Sequence, residues 1–185
     1  MTESRRAALV AQLVERLRAH ESWAGETHVQ KSTYVLQQLL GVPMGLPFQL
    51  YKFGPFSFEL RDLLGQMRSL HQLEMELQPY PYGPKLTVGP GAPQLQTRFP
   101  KTIRKYGEVV DFVASEVGPL GVGSLERIAT ALLVQTELPD ADVEKQAARL
   151  HAYKPHVSVE QATAALGQVD QLAGRAQQAG VTVAA

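Results

Sequence analysis

With 185 residues, 44% of them hydrophobic, the chain can bury roughly 70% of its unfolded surface, and it needs no cross-link to hold a core. It has no cysteine, which excludes disulfides, thiolate metal sites and cysteine nucleophiles. Lys plus Arg and Asp plus Glu balance at 18 each, which removes the bulk charge that nonspecific binding to nucleic acid or a membrane surface draws on.

In residues 4 to 20, Leu9, Val10, Leu13, Val14 and Leu17 recur at helical spacing while the charges fall outside that stripe, which predicts a surface helix. Charges inside the apolar stretch, with no small-residue cleavage site, argue against a signal peptide. No run reaches the roughly 18 apolar residues of a membrane span, so no membrane partner and a cytoplasmic location are expected. Thr27 and Gln30 make a T-x-x-Q capping box for a second helix, closed by Gly41 and Pro43.

"LPFQLYKF" alternates Phe48 and Leu50 against Tyr51 and Phe53, which predicts a short strand ended by Gly54-Pro55. Ser57 is placed to cap a third helix carrying Leu60, Leu63, Leu64 and Met67. "LEMELQ" has a period of two, with Leu73, Met75 and Leu77 on one face, and "KLTV" returns after the turn "PYPYGP". Helix, helix, strand, helix and hairpin is the order of a winged-helix-like unit.

"GPGAP", residues 89 to 93, is the candidate boundary, because two glycines and two prolines within five residues continue neither helix nor strand. Beyond it all predicted elements are helices. Tyr106, Val109, Val110, Val113 and Val117 define one, ended by Gly118-Pro119. A second is capped by Ser124, a third by Asp140, and a last one by the Ser158–Gln161 box; the tail "AGVTVAA" is expected to fray. The expected fold is α+β and mostly α: a winged-helix-like unit with a small antiparallel sheet over 1–91, and a helical region over 92–185 packed on it as one compact domain.

Catalytic chemistry finds little support. His151 and His156 straddle a break at Pro155 rather than standing at i, i+3 or i+4, so no metal is expected. Ser57 is better explained as a cap than as a nucleophile, since no G-x-S-x-G elbow is present. "GVGS", residues 121 to 124, lacks the lysine and the preceding strand of a phosphate loop and reads as a helix start. No cofactor is expected.

Two charge clusters remain. Arg98, Lys101, Arg104 and Lys105 form a local basic run, either a solvated helix face or a nucleic-acid contact. The third helix offers Glu59, Arg61, Asp62, Gln66 and Arg68, which sum to no net charge and argue against phosphate tracking there. Glu137, Asp140, Asp142 and Glu144 form an acidic cluster that capping explains in part; its functional reading is an imitation of nucleic-acid phosphates for a protein partner.

"HVQKSTYVLQQLLGVPMGLPFQLYKFGPFSFELRDLLGQM", residues 28 to 67, resembles the YwgA-like family and, more distantly, the SocA-like Panacea antitoxin domain. The pattern L-Q-K-x-x-Y-x-L-Q, then Y-K-Y-G-P-[FY]-S and E-L, is carried by Gln30, Lys31, Tyr34, Leu36 and Gln37, then by Tyr51 to Ser57, Glu59 and Leu60. Val29 and Phe53 depart from it conservatively, and Ser32 and Thr33 stand where apolar residues are expected. "VDFVASEVGPLGVGSLERIATALLV" and "DVEKQAARLHAYKPHVSVEQATAAL" are similar to the C-terminal region of DarG-type antitoxins, where a K-P dipeptide separates the closing helices.

The resemblance implies a non-catalytic protein-binding module that neutralises a toxin by contact. In DarG-type proteins a macrodomain removes ADP-ribose from DNA while the region resembled here blocks an ADP-ribosyltransferase; no glycine-rich ADP-ribose loop stands before residue 26. The partner-binding residues so implied are Lys31, Tyr34, Tyr51, Lys52, Phe53, Gly54, Pro55 and Arg61, with the acidic cluster beside them. The alternative is a winged-helix regulator binding nucleic acid through the basic run. "YKFGPFS" itself is expected to be a structural hinge whose exposed members join a recognition surface.

Overall fold

The computed structural model describes residues 1–181; the last four positions of the tail expected to fray lie outside them. The N-terminal helix α1 (Glu3–Ala19) corrects the expectation of a surface helix. Every residue from Ala7 to Val14 is buried. Between the Leu and Val positions stand Ala7, Ala8 and Ala11, too small to hold neighbours away, so other elements close over sides that a two-class pattern reads as exposed.

Helix α2 (Glu26–Gln38) starts from Gly25 with no side-chain cap. The predicted Thr27–Gln30 box does not form, because the Gln30 amide turns to the backbone of Ser57, where it both donates (2.9 Å) and accepts (3.0 Å). Gly41, at φ +72°, ends the segment as expected. The predicted single strand is a hairpin of β1 (Gln49–Tyr51) and β2 (Gly54–Phe56), with Gln49 opposite Phe56 and Tyr51 opposite Gly54. Gly54-Pro55 therefore opens a return strand rather than ending the first one; the ribbon has two strands, and an edge strand admits proline.

Ser57 caps α3 (Phe58–Ser69), accepting from the Leu60 amide, and Leu60, Leu63, Leu64 and Met67 are its buried stripe. Strands β3 (Leu73–Glu76) and β4 (Lys85–Val88) pair antiparallel, from Leu73 opposite Val88 to Glu76 opposite Lys85. Leu73 and Leu86 point inward and are buried, whereas Met75 and Leu77 lie on the same face but beyond the cover of the helices and are exposed. The two ribbons are separate sheets, so β1 pairs with β2 and not with β3 or β4.

The glycine-rich boundary is a packed joint. A Cβ on Gly89 would collide with the His71 carbonyl oxygen, and one on Gly91 would lie 2.9 Å from that of Leu70. Five more helices follow: α4 (Ala92–Arg98), α5 (Pro100–Val117), α6 (Val122–Glu137), α7 (Val143–Tyr153) and α8 (Val159–Gln178). Two caps differ from expectation. Asp142, not Asp140, accepts from the Lys145 amide at 2.8 Å, and α6 starts at Gly121 without a side-chain cap, while the Ser124 hydroxyl accepts from Arg127. The Ser158–Gln161 box forms in both directions.

α1 packs on α5, α2 on α6, and α8 on α6 and α7, so one hydrophobic core runs from Ala7 to Val181 across the predicted boundary. The architecture is α+β and mostly helical. No helix among the described residues is long and apolar enough to cross a membrane.

Candidate functional site

The β1–β2 hairpin is held from below by three charged side chains drawn from distant parts of the chain. Lys31, on α2, donates from Nζ to the Pro55 carbonyl at 2.8 Å. Lys154, immediately after α7, donates to the Lys52 carbonyl at 2.8 Å and pairs with Glu126 of α6. All three lie inside: Lys31 and Lys154 are buried, and the Glu126 side chain is only 14% exposed. Burial pushes the Lys31 ammonium down to about 8; the Glu126 charge works against that shift and the Lys154 charge adds to it.

Gly54 closes the hairpin at φ +85°, and a Cβ there would stand 2.8 Å from the Thr130 hydroxyl oxygen. Glycine is required twice over, by the left-handed backbone and by the approach to α6. The Gln30–Ser57 amide pair fixes the exit of β2, so the turn between Lys52 and Phe53 is fastened on both sides.

Above this frame the hairpin carries aromatic surface. Tyr51 is 53% exposed, Phe53 52% and Phe58 40%. Tyr51, Phe56 and Phe58 form a three-ring cluster with centroids 5.1 to 5.6 Å apart, and the Lys52 ammonium stands 5.3 Å over the Phe53 ring. Aromatic side chains on a fastened backbone lose little freedom on binding, which suits them to anchor interfaces.

The residues proposed from sequence divide by burial. Tyr51, Lys52, Phe53 and Arg61 are exposed. Lys31, Tyr34, Gly54 and Pro55 are buried and offer no side chain to a partner; as direct contacts they are corrected to supports of the hairpin. Tyr34 meets Phe48 edge-on at 4.9 Å, and burial pushes its hydroxyl up to about 12, with Thr136 working against the shift and the Glu137 charge adding to it.

In the acidic cluster, Glu137 accepts from the Tyr153 hydroxyl at 2.6 Å and Asp142 caps α7 while pairing with Lys145 at 3.6 Å. Asp140 and Glu144 are exposed with no ion pair among the described residues. Arg98, Lys101, Arg104 and Lys105 are likewise exposed and unpaired among the described residues, from the end of α4 into α5. Ser32 and Thr33, the two departures inside α2, are buried, and neither hydroxyl has a hydrogen-bond partner among the described residues.

Glu126, Thr130 and Phe58 were not legible as site residues. Glu126 stands next to the apolar stripe of α6, and that misplaced charge was its one signal; Phe58 had none apart from the aromatics before it. Lys154 sat in the quoted K-P dipeptide without an assigned role. No known family's sequence profile matches the chain, and no curated protein matches it.

Proposed function

We propose that the chain is a non-catalytic protein-binding module that neutralises a toxin by direct contact, with the aromatic face of the β1–β2 hairpin as its anchor. The observation that carries this reading is the pairing of an exposed aromatic cluster with two buried lysines that donate to the hairpin backbone beneath it, one of them paired with Glu126. Three ionisable side chains spent on holding one turn suit a surface whose shape matters and whose chemistry does not. Arg61, one turn beyond Phe58, extends the face with a guanidinium, and Asp140 and Glu144 are the members of the acidic cluster with no ion pair among the described residues, available to a basic partner. The resemblance described from sequence points to a cytoplasmic, DNA-targeting ADP-ribosyltransferase as the toxin class.

The test is retrieval of the tagged protein from its host at moderate salt, with identification of what remains bound. A stoichiometric toxin that is lost with the Tyr51→Ala, Phe53→Ala double variant supports the reading. Recovery of nucleic acid alone, with retention falling steeply as salt rises and abolished by neutralising Arg98, Lys101, Arg104 and Lys105, replaces it with a nucleic-acid-binding role.

A further inference from the structure

A second feature lies between α3 and the β3–β4 ribbon, with Arg61 bordering both it and the aromatic face. The Gly89 amide donates to the Gln72 carbonyl at 3.0 Å, which sets the parity of the β3–β4 ladder: Leu73 and Met75 stand opposite Val88 and Leu86 at positions whose backbone groups point away from the partner strand. On β4 that outward donor is used, since the Leu86 amide donates to the Ala24 carbonyl at 3.0 Å. On β3 the corresponding amide and carbonyl of Met75 have no partner among the described residues.

A groove runs along this open edge. One part, about 490 Å³, lies between α3 and β3 and touches neither β4 nor the wing tip; it adjoins a second part of about 570 Å³ over the hairpin face, and the two share Gly65, Arg68 and Met75. Gly65 sits inside α3, where glycine costs stability relative to alanine, yet nothing lies within 4 Å of where its Cβ would be. No packing demands that glycine. Its effect is to leave the helical wall of the groove without a side chain, between Arg61 and Arg68 on the same helix stripe.

We infer that this groove is a docking site for an extended segment of a partner protein, which adds to the free edge of β3 as a third strand and seats one apolar side chain over Gly65 against Met75. The backbone chemistry selects the occupant: an unpaired amide and carbonyl on a strand edge are satisfied by another extended chain and not by a helix, whose own groups are already paired. The rim carries charges of both signs, Arg61 and Arg68 beside Glu26, Asp62 and Glu74, so one carboxylate is in excess and selection by charge is weak.

The experiment pans a displayed library of random octapeptides against the full chain and follows a synthesised binder by amide exchange. Binding should slow exchange of the Met75 amide, and methylating the edge nitrogens of the peptide should weaken it by about tenfold or more. Gly65→Leu should weaken binding by at least about tenfold with an unchanged or higher melting temperature, while Gly65→Ala retains binding. The inference is overturned if panning yields no binder, if bound peptides leave Met75 exchange unaltered, if Gly65→Leu binds them as the parent does, or if concentration-dependent mass shows that a second copy of this chain covers the edge.

Discussion

Lys154 donates to the backbone carbonyl of Lys52, 102 positions earlier in the chain. The same ammonium pairs with Glu126, so one side chain both neutralises a buried carboxylate and holds a turn. Lys154→Met leaves Glu126 without its counter-charge, and removing one partner of a buried pair costs about 3–5 kcal/mol. Urea denaturation should show that loss; a loss below about 1 kcal/mol would place the pair in the surface class.

Lys31 makes stability depend on pH with a defined sign. Its reference value is 10.5 and its folded value about 8, so between those values the unfolded chain binds the extra proton and stability rises with pH. Between pH ~7.5 and ~9.5 the gain is about 2 kcal/mol. Tyr34 acts oppositely: its folded value of about 12 lies above the reference 10.0, so its contribution is present below pH 10 and is lost as pH rises towards 12. Denaturation of the parent and of Lys31→Met, compared from pH ~7.5 to ~9.5, should show the parent gaining about 2 kcal/mol on the variant, and parallel curves would show that Lys31 does not carry the dependence.

Gly54→Ala should be costly for two separable reasons. The left-handed backbone accounts for about 1–3 kcal/mol, and contact with Thr130 adds to it. Thr130→Ala in the same chain removes the contact only, so the double variant should recover part of the lost stability and not all of it. Full recovery would mean that the backbone at Gly54 relaxes without strain.

Ser32 and Thr33 bury hydroxyls without hydrogen bonds, at about 1–3 kcal/mol each. Ser32→Ala and Thr33→Val remove those groups at little change in volume, and each should raise the melting temperature. A fall for either would show that its hydroxyl is satisfied in solution.

Tyr51→Ala and Phe53→Ala remove exposed rings, so each should change folding stability by less than about 1 kcal/mol while costing at least about 2 kcal/mol in binding to the retrieved partner. Calorimetry on the purified complex, beside denaturation of the free variants, separates the two quantities. Equal losses in both would make the rings part of the core.

What could be read from the sequence was what depends on near neighbours. The Ser57 cap, the Ser158–Gln161 box, the stop at Gly118-Pro119 and the apolar stripes of α3 and α5 follow from residues within a turn or two of each other. The burial of α1 was missed because alanine carries little weight in a hydrophobic pattern, although its small size is what lets neighbours close in. The β1–β2 hairpin was missed because Gly54-Pro55 resembles a stop when its approach to Thr130 is unknown. Gln30 looked like a cap for its own helix because the competing donor, the Ser57 amide, lies 27 positions away. Tyr51, Phe53 and Lys31 were therefore legible as site residues, and Phe58 and the Glu126–Lys154 pair were not.

The long reach of Lys154 also orders events during synthesis. Residues 49 to 56 leave the ribosome well before the side chain that fastens them, and at ~5–20 residues per second the gap of 102 positions corresponds to about 5–20 s. Through that interval the nascent hairpin has Lys31 and Gln30 to hold it but lacks Lys154. Any ligand that reads the finished shape of this turn meets it only after translation has passed the end of α7, which makes recognition a report that the chain has been made through that helix.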